Sequence, residues 1–364
     1  MKAKDFNFNA FLDYKEEKDK NYTRFLKNDV WEIPIIQMAS SSYWEGICRY
    51  KEKSFEAQLD FLTDTTKLKT DLVFSYLEPW LGVGIYAAAY GCKYIWHGND
   101  SPQVLPIYQS LDDVRSIKHP SIESCDEMNA VLEMIKYFKE QTGGLLDISM
   151  TDTQSPNDTA SLLLSTTEFF TATLEEPEAL EPLLNSITRL IVEFSECQME
   201  LIGDSLALPG HIMPSYRCGS GISISDDNMA FISPPSYAET CVPYNSKLSN
   251  HFEGISIHTC GNAGHNLALL RDTPGLQMVD LALGLVADPS PNDATRVADV
   301  FRNTDIIVKA KVGWDEIERI TPLIDPSIRL IVQLFTSGTI DDRNRQFNSA
   351  QEAINQLMDE RKKN

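Results

Sequence analysis

The sequence predicts an α/β chain folded as a TIM (β/α)8 barrel with an N-terminal helical extension. Three observations predict it. Short apolar runs alternate with longer amphipathic stretches along most of the chain, the pattern of parallel strands joined by helices. About eight such runs occur without a linker between them, which suits one closed barrel better than an open sheet. At 364 residues, 42% of them hydrophobic, the chain can bury a large core. No GxGxxG follows the first run and no Walker A sequence occurs, which removes the usual dinucleotide and P-loop readings.

Residues 1–70 are charged and mostly helical in pattern, with apolar positions at helical spacing from Ser54 to Leu68. Candidate strands then follow at Leu72 to Tyr76, Lys93 to Trp96, Leu145 to Met150, Leu206 to Leu208, Gly254 to Ile257, Met278 to Leu281, Ile306 to Ala310 and Leu330 to Leu334. Candidate helices run over Gly84 to Tyr90, Glu123 to Glu140, Thr159 to Thr171, Glu178 to Ile202, Pro235 to His251, Ala263 to Leu270, Asn292 to Arg302 and Asn348 to Arg361. From Pro209 to Ser233 about 25 residues rich in Gly, Pro and Ser read as one long loop, a length common for functional lids. Ser233 before Pro234 and Pro235 is an N-cap with proline behind it. The whole chain, 1–364, reads as a single domain.

The formal charge is −21, from 53 acidic and 32 basic residues. That field repels phosphate backbones and argues against a nucleic-acid partner. The seven cysteines have irregular spacing and form no CxxC pair, so reduced thiols in the cytoplasm are expected. No apolar run approaches the length of a membrane span.

The chemistry concentrates at His258, Thr259, Cys260, Gly261 and Asn262. Two metal-ligand side chains stand two residues apart at the end of an apolar strand, so both can face one point. A barrel builds its active site from such strand ends. Asp226, Asp227 and Glu78 are candidate catalytic carboxylates for proton transfer or for holding a substrate amine. Tyr76, Trp80, His97 and Asp152 stand at strand ends or in turns where a barrel places ligand contacts. Trp44 and Trp96 add aromatic surface. Lys309 and Lys311 flank the end of the seventh candidate strand, where either can reach in as a cation.

Ser225-Asp226-Asp227-Asn228-Met229, Ile232-Ser233-Pro234, Pro243-Tyr244-Asn245-Ser246-Lys247-Leu248 and Ile257-His258-Thr259-Cys260-Gly261-Asn262 occur in that order. Leu77-Glu78-Pro79-Trp80, Tyr90-Gly91-Cys92, Leu105-Pro106 and Asp152-Thr153-Gln154-Ser155-Pro156 precede them. Together they resemble the uroporphyrinogen decarboxylase superfamily from about Trp31 to the end. The resemblance implies a TIM barrel. Its branches include the decarboxylase of haem synthesis and zinc-dependent, corrinoid-linked methyltransferases.

The chain resembles the second branch more. The decarboxylases carry an arginine-rich segment near the N-terminus, which holds the acidic substrate. Here that region reads Ile35 to Ser42 without an arginine. Their aspartate after the first strand is absent from Phe74-Ser75-Tyr76-Leu77-Glu78. The methyltransferases hold zinc with His-x-Cys and a distant cysteine. His258 and Cys260 match the first two, but no cysteine follows Cys260. Cys218 and His211 in the long loop, or Glu78, are the candidates to complete the shell.

The resemblance therefore implies zinc held by His258 and Cys260, with Cys218 as the leading candidate for the third ligand. It also implies a small methylated, thiol or corrinoid substrate and a separate corrinoid protein as partner. A homodimer is the expected assembly, without nucleic acid or membrane. The alternatives are a decarboxylase of the uroporphyrinogen type and a non-catalytic small-molecule-binding barrel.

Overall fold

The computed structural model describes residues 1–41, 44–115 and 117–363. Its strands are β1 (Ile35–Gln37), β2 (Tyr76–Leu77), β3 (Tyr94–Ile95), β4 (Gln103–Val104), β5 (Asp147–Ile148), β6 (Ile222–Ser225), β7 (Ile255–His258), β8 (Leu276–Ala282), β9 (Ile307–Gly313) and β10 (Arg329–Phe335). Six of them form one sheet in the order β1-β10-β9-β8-β7-β6, and every neighbour pair in it is parallel.

The remaining arc of the ring is irregular. Ile36 bridges Leu72, β2 pairs with β5, and Ile148 bridges Leu206. The amide of Ser223 then donates to the carbonyl of Pro209 at 3.0 Å, which brings the chain back to β6. The result is a TIM-barrel-like ring with helices outside it.

The strands follow from burial on both faces. β7 to β10 are buried nearly throughout, their polar members included, as parallel strands covered on both sides are. Alternation still sorts their side chains. Val308, Ala310 and Val312 of β9 pack in the large core under the helices. Lys309 and Lys311 point the other way, into the ring.

Inside the ring a separate apolar cluster contains Ile36, Leu72, Phe74, Met278, Ile307 and Ile331. The N-terminal helix Phe8–Lys27 closes the end of the ring where the strands begin, adding Tyr22 and Phe25 to that cluster. Nearby, Asp147 at the start of β5 holds Lys15 at 2.9 Å and Arg217 at 2.6 Å. Polar side chains gather at the opposite end, where the strands finish.

Several sequence expectations are corrected. Lys93 to Trp96 is not a ring strand: β3 pairs antiparallel with β4 in a hairpin. The expected loop 209–233 contains β6, whose Ile-Ser-Ile-Ser sequence is wholly buried. β1 interrupts the helical N-terminal stretch. The helix expected over Thr159 to Thr171 breaks at Leu164, which is extended, and Ser165 caps a new helix, Thr166–Glu175. Pro235 to His251 likewise splits into Pro234–Thr240 and Val242–His251. Pro243 has no N–H to continue the ladder across that junction. No helix among the described residues is long and apolar enough to cross a membrane.

Phe194 lies in the helix Glu181–Ile202, fully buried, with its ring 5.9 Å from that of Tyr86. Phe194→Ala should cost about 3–5 kcal/mol by opening a cavity. Val30→Ser, at a 65% exposed position, should stay within about 0.5 kcal/mol. Urea unfolding of the two variants checks the contrast.

Candidate metal centre and barrel mouth

His258 is the last residue of β7, and its imidazole is oriented from the neighbouring strands. Its Nδ1 lies 2.6 Å from Asp280 Oδ2 on β8. Asp280 is fully buried, with Lys309 Nζ 3.0 Å from its other oxygen and Lys311 Nζ 3.5 Å from Oδ2. The Lys309 contact is an ion pair without hydrogen-bond alignment. Burial alone would raise the Asp280 pKa. Lys309, Lys311 and His258 hold it well below the usual carboxylate range instead. Burial lowers Lys309 to about 8, against the pull of Asp280.

Asp280 is thus a fixed anion and accepts a hydrogen bond from His258 Nδ1–H. Burial, then the charge of Lys311, lowers the His258 pKa, with Asp280 opposing. The ring is therefore neutral, with its proton on Nδ1 and its lone pair on Nε2. Lys311 Nζ, 3.4 Å from Nδ1, acts there through charge, because that nitrogen already carries the donated hydrogen.

The free Nε2 faces Cys260 Sγ at 3.1 Å. Asp227 Oδ1 lies 3.8 Å from the same nitrogen and accepts the Cys260 amide hydrogen at 2.7 Å. These three ligand atoms lie within 4.8 Å of one another and form the single such group of His, Cys, Asp and Glu among the described residues. Burial and the charge of Asp227 push the Cys260 thiol up to about 12. Without a cation between them, the thiol keeps its proton. The chain closes tightly here: a Cβ on Gly261 would stand 2.8 Å from Ala230 Cβ.

Asp226 and Asp227 face opposite ways. Asp226 is fully buried and accepts from Ser155 Oγ at 3.2 Å, Tyr237 Oη at 2.9 Å and Asn245 Nδ2 at 2.9 Å. It ties β6 to the surrounding helices. Burial raises its pKa to about 6, with Asn245, Tyr237 and Ser155 opposing. Asp158 accepts the amides of Asp227 and Asn228 at 2.6 and 2.9 Å, which fixes the turn presenting Asp227.

A second polar cluster stands beside Lys309. His211 Nδ1 lies 2.5 Å from Glu78 Oε1, and its Nε2 lies 3.6 Å from Asp152 Oδ1. Trp80 Nε1 donates to Asp152 at 3.4 Å, and Gln154 donates to it at 3.0 Å. Tyr76 Oη donates to the carbonyls of Gly210 and Met213, each at 3.3 Å, pinning the segment that carries His211. The next residue, Ile212, has φ 49°, a conformation that β-branched residues rarely adopt. It lines a 360 Å³ cavity with His258, Asp280 and Lys311.

Two expected site residues lie elsewhere. Cys218 is exposed at the opposite end of the ring. Beside it, Arg217 donates to the carbonyls of Gly144 and Leu145, just before β5. His97 is exposed in the turn of the β3–β4 hairpin. The structure instead brings Asp227 to the His258–Cys260 pair. Sequence reasoning missed Asp280, whose signal is a lone carboxylate inside the apolar strand β8. It also missed Arg343 and Gln333, which line the cavity without any local motif.

Burial would lower the His211 pKa, but Asp152 and Glu78 raise it from 6.5 to about 9. The folded protein therefore keeps a proton that the unfolded chain releases above about 6.5. The stability from His211 should be full below pH 6.5 and lost as pH rises through about 9. It amounts to about 3 kcal/mol. Urea midpoints across that window should fall for the natural protein and stay flatter in His211→Gln.

A family model described as uroporphyrinogen decarboxylase (URO-D) matches residues 38–210. No curated protein matches the chain. Among solved structures, a methyltransferase from Methanosarcina mazei is similar at 16% sequence identity. The match covers 93% of this chain and 99% of that one, with a TM-score of 0.64. A DUF72 family protein from Enterococcus faecalis matches at 11% identity over 62% of this chain and 84% of that one. Its TM-score of 0.27 gives it no weight. The chain is thus similar to the uroporphyrinogen decarboxylase family over residues 38–210, and it shares its fold nearly end to end with the methyltransferase structure.

Proposed function

We propose that this protein is a zinc-dependent methyltransferase-like enzyme. It transfers a methyl group between a small methylated substrate, or a corrinoid carried on a separate protein, and a thiolate. The observation that carries the reading is the convergence of His258 Nε2, Cys260 Sγ and Asp227 Oδ1 within 4.8 Å at a strand end. One imidazole, one sulfur and one carboxylate suit zinc, which catalytic sites hold with three protein ligands and a fourth position left for substrate. Asp280 meets the usual need of a ligating histidine for an acceptor on its other nitrogen. Asp227 takes the place that the family pattern gives to a third cysteine.

When bound, zinc supplies the positive charge that keeps a thiol deprotonated at neutral pH. The protein's own groups do the rest. Lys309 and Lys311 keep Asp280 ionised, and Asp280 keeps the Nε2 lone pair of His258 directed outward. Asp158 fixes the turn that presents Asp227. His211, protonated between Glu78 and Asp152, is a proton source for a departing amine or alkoxide. Trp80 and Tyr76 position that cluster. As methyl moves, its bond to the donor breaks and the electron pair leaves with the donor atom, while a carbon–sulfur bond forms.

Protein purified without chelator should contain stoichiometric zinc by elemental analysis. His258→Ala and Cys260→Ser should lose it. Asp227→Ala should weaken binding by at least about 10–100-fold, the loss typical of removing an outer partner alone. Cys218→Ser should bind as the natural protein does. No zinc in the natural protein, or full zinc in Cys260→Ser, would refute the reading.

A further inference from the structure

A second cavity lies at the end of the ring where the strands begin, away from the metal centre. It measures 280 Å³, and its lining includes Tyr22, Tyr216, Ser256, Met278, Ile307 and Arg329. Met278 and Ile307 belong to the apolar cluster inside the ring and form its inner wall. Barrel interiors are ordinarily filled by layers of side chains. A void of about 150 Å³ already admits a benzene ring, so this one has room for a ring with substituents.

Two buried polar atoms in the lining are unpaired. Ser256 is 1% exposed, and its Oγ has no hydrogen-bond partner among the described residues. It stands two residues before His258 on β7, so it faces into the ring as His258 does. Arg329, the first residue of β10, has a buried Nε that also lacks a partner. Its other nitrogens are engaged. Nη1 donates to the Asp305 carbonyl at 3.2 Å, and Nη2 donates to the carbonyls of Phe25 and Leu26 at 3.2 and 3.1 Å. These bonds hold the guanidinium 5.3 Å from the centre of the Phe25 ring. It cannot turn to satisfy Nε without breaking them. Polar groups left buried and unpaired are costly.

The charges of the lining balance. Arg329 is its one cation and Asp305 its one anion. Burial lowers the Arg329 pKa, and Asp305, then Tyr22, opposes it. Asp19, whose charge reaches Tyr216, is paired with Lys15, and Lys15 and Arg217 share Asp147. A neutral ligand fits this balance, and the −21 of the whole chain disfavours an anion.

The walls and the strand order set the ligand's shape. The Tyr22 and Tyr216 rings meet edge to face at 5.5 Å, which suits a flat apolar body. β8 and β9 lie between the strands that carry Ser256 and Arg329. Neighbouring strands are about 4.8 Å apart, so one ligand atom does not reach both unpaired groups.

We propose that this cavity binds a neutral, single-ring molecule with a polar group at each end. A carbonyl or amide oxygen at one end accepts from Arg329 Nε. A hydroxyl at the other end bonds to Ser256 Oγ, and the ring packs against Tyr22, Tyr216 and Met278.

Saturation-transfer NMR on the full chain at pH 7 tests this with 4-hydroxybenzamide, benzamide and 4-hydroxybenzoate. 4-Hydroxybenzamide should bind about threefold or more tightly than benzamide, the scale of one hydrogen bond. The benzoate should bind no more tightly than its amide. Ser256→Ala removes only an unpaired hydroxyl, so the variant should fold. It should bind the two amides equally, with benzamide affinity unchanged. Crystals soaked in 4-hydroxybenzamide should show it between Ser256 and Arg329. No saturable binding, a tighter benzoate, or a hydroxyl advantage that is absent or that survives Ser256→Ala would overturn the proposal. So would a ligand found at the barrel mouth instead.

Discussion

The carboxylate of Asp280 is the group on which the rest of the mouth depends. It lies fully buried in β8, where an isolated ion would cost several kcal/mol. Lys309 stands 3.0 Å from one of its oxygens, and Lys311 stands 3.5 Å from the other. With its charge secured, Asp280 decides which nitrogen of His258 carries the proton. That in turn decides which nitrogen faces Cys260 and Asp227. Four side chains on three adjacent strands thus act as one device. Its product is a lone pair aimed at the strand ends.

The barrel supplies the conditions for this device. Below it, the apolar layer of Ile36, Leu72, Phe74, Met278, Ile307 and Ile331 excludes water. The N-terminal helix seals the far end with Tyr22 and Phe25. The low polarity that makes the ions costly also strengthens their mutual attraction. Above it, the chain turns at β6 and divides two adjacent carboxylates between two tasks. Asp226 anchors the outer helices through Ser155, Tyr237 and Asn245. Asp227 is left to face the pair. Ile212, in its left-handed conformation, is held by the same packed segment that delivers His211.

The architecture was legible where strands are long and buried on both faces. β8 and β10 show as mostly apolar segments, β9 as small apolar residues alternating with lysine, and β7 through the stretch before His258. Their spacing at two residues makes His258 and Cys260 visible as a pair, and it marks Lys309 and Lys311 as inward candidates. β1 and β6 were not legible. One is three residues long, and the other alternates isoleucine with serine in a stretch that resembles a loop. Reading β6 as loop left the direction of Cys218 open, and Cys218 lies at the opposite end of the ring from the pair. Asp227 could be named as a site residue but not as the partner of His258. That partnership depends on how β6 sits against β7, and on Asp158 holding the turn from a distant helix. Asp280 shares the difficulty, since its role comes from neighbours far away in sequence.

The central claim is that the aimed imidazole, one thiolate and one carboxylate form a single metal centre. Crystals grown with zinc, measured on both sides of the zinc absorption edge, test it most directly. The account predicts one strong anomalous peak within about 2.0–2.3 Å of His258 Nε2, Cys260 Sγ and an Asp227 oxygen, with Asp280 still bonded to Nδ1. A peak bound at Cys218 or at the Glu78–His211 cluster instead, or a His258 ring turned so that Nε2 meets Asp280, would contradict it.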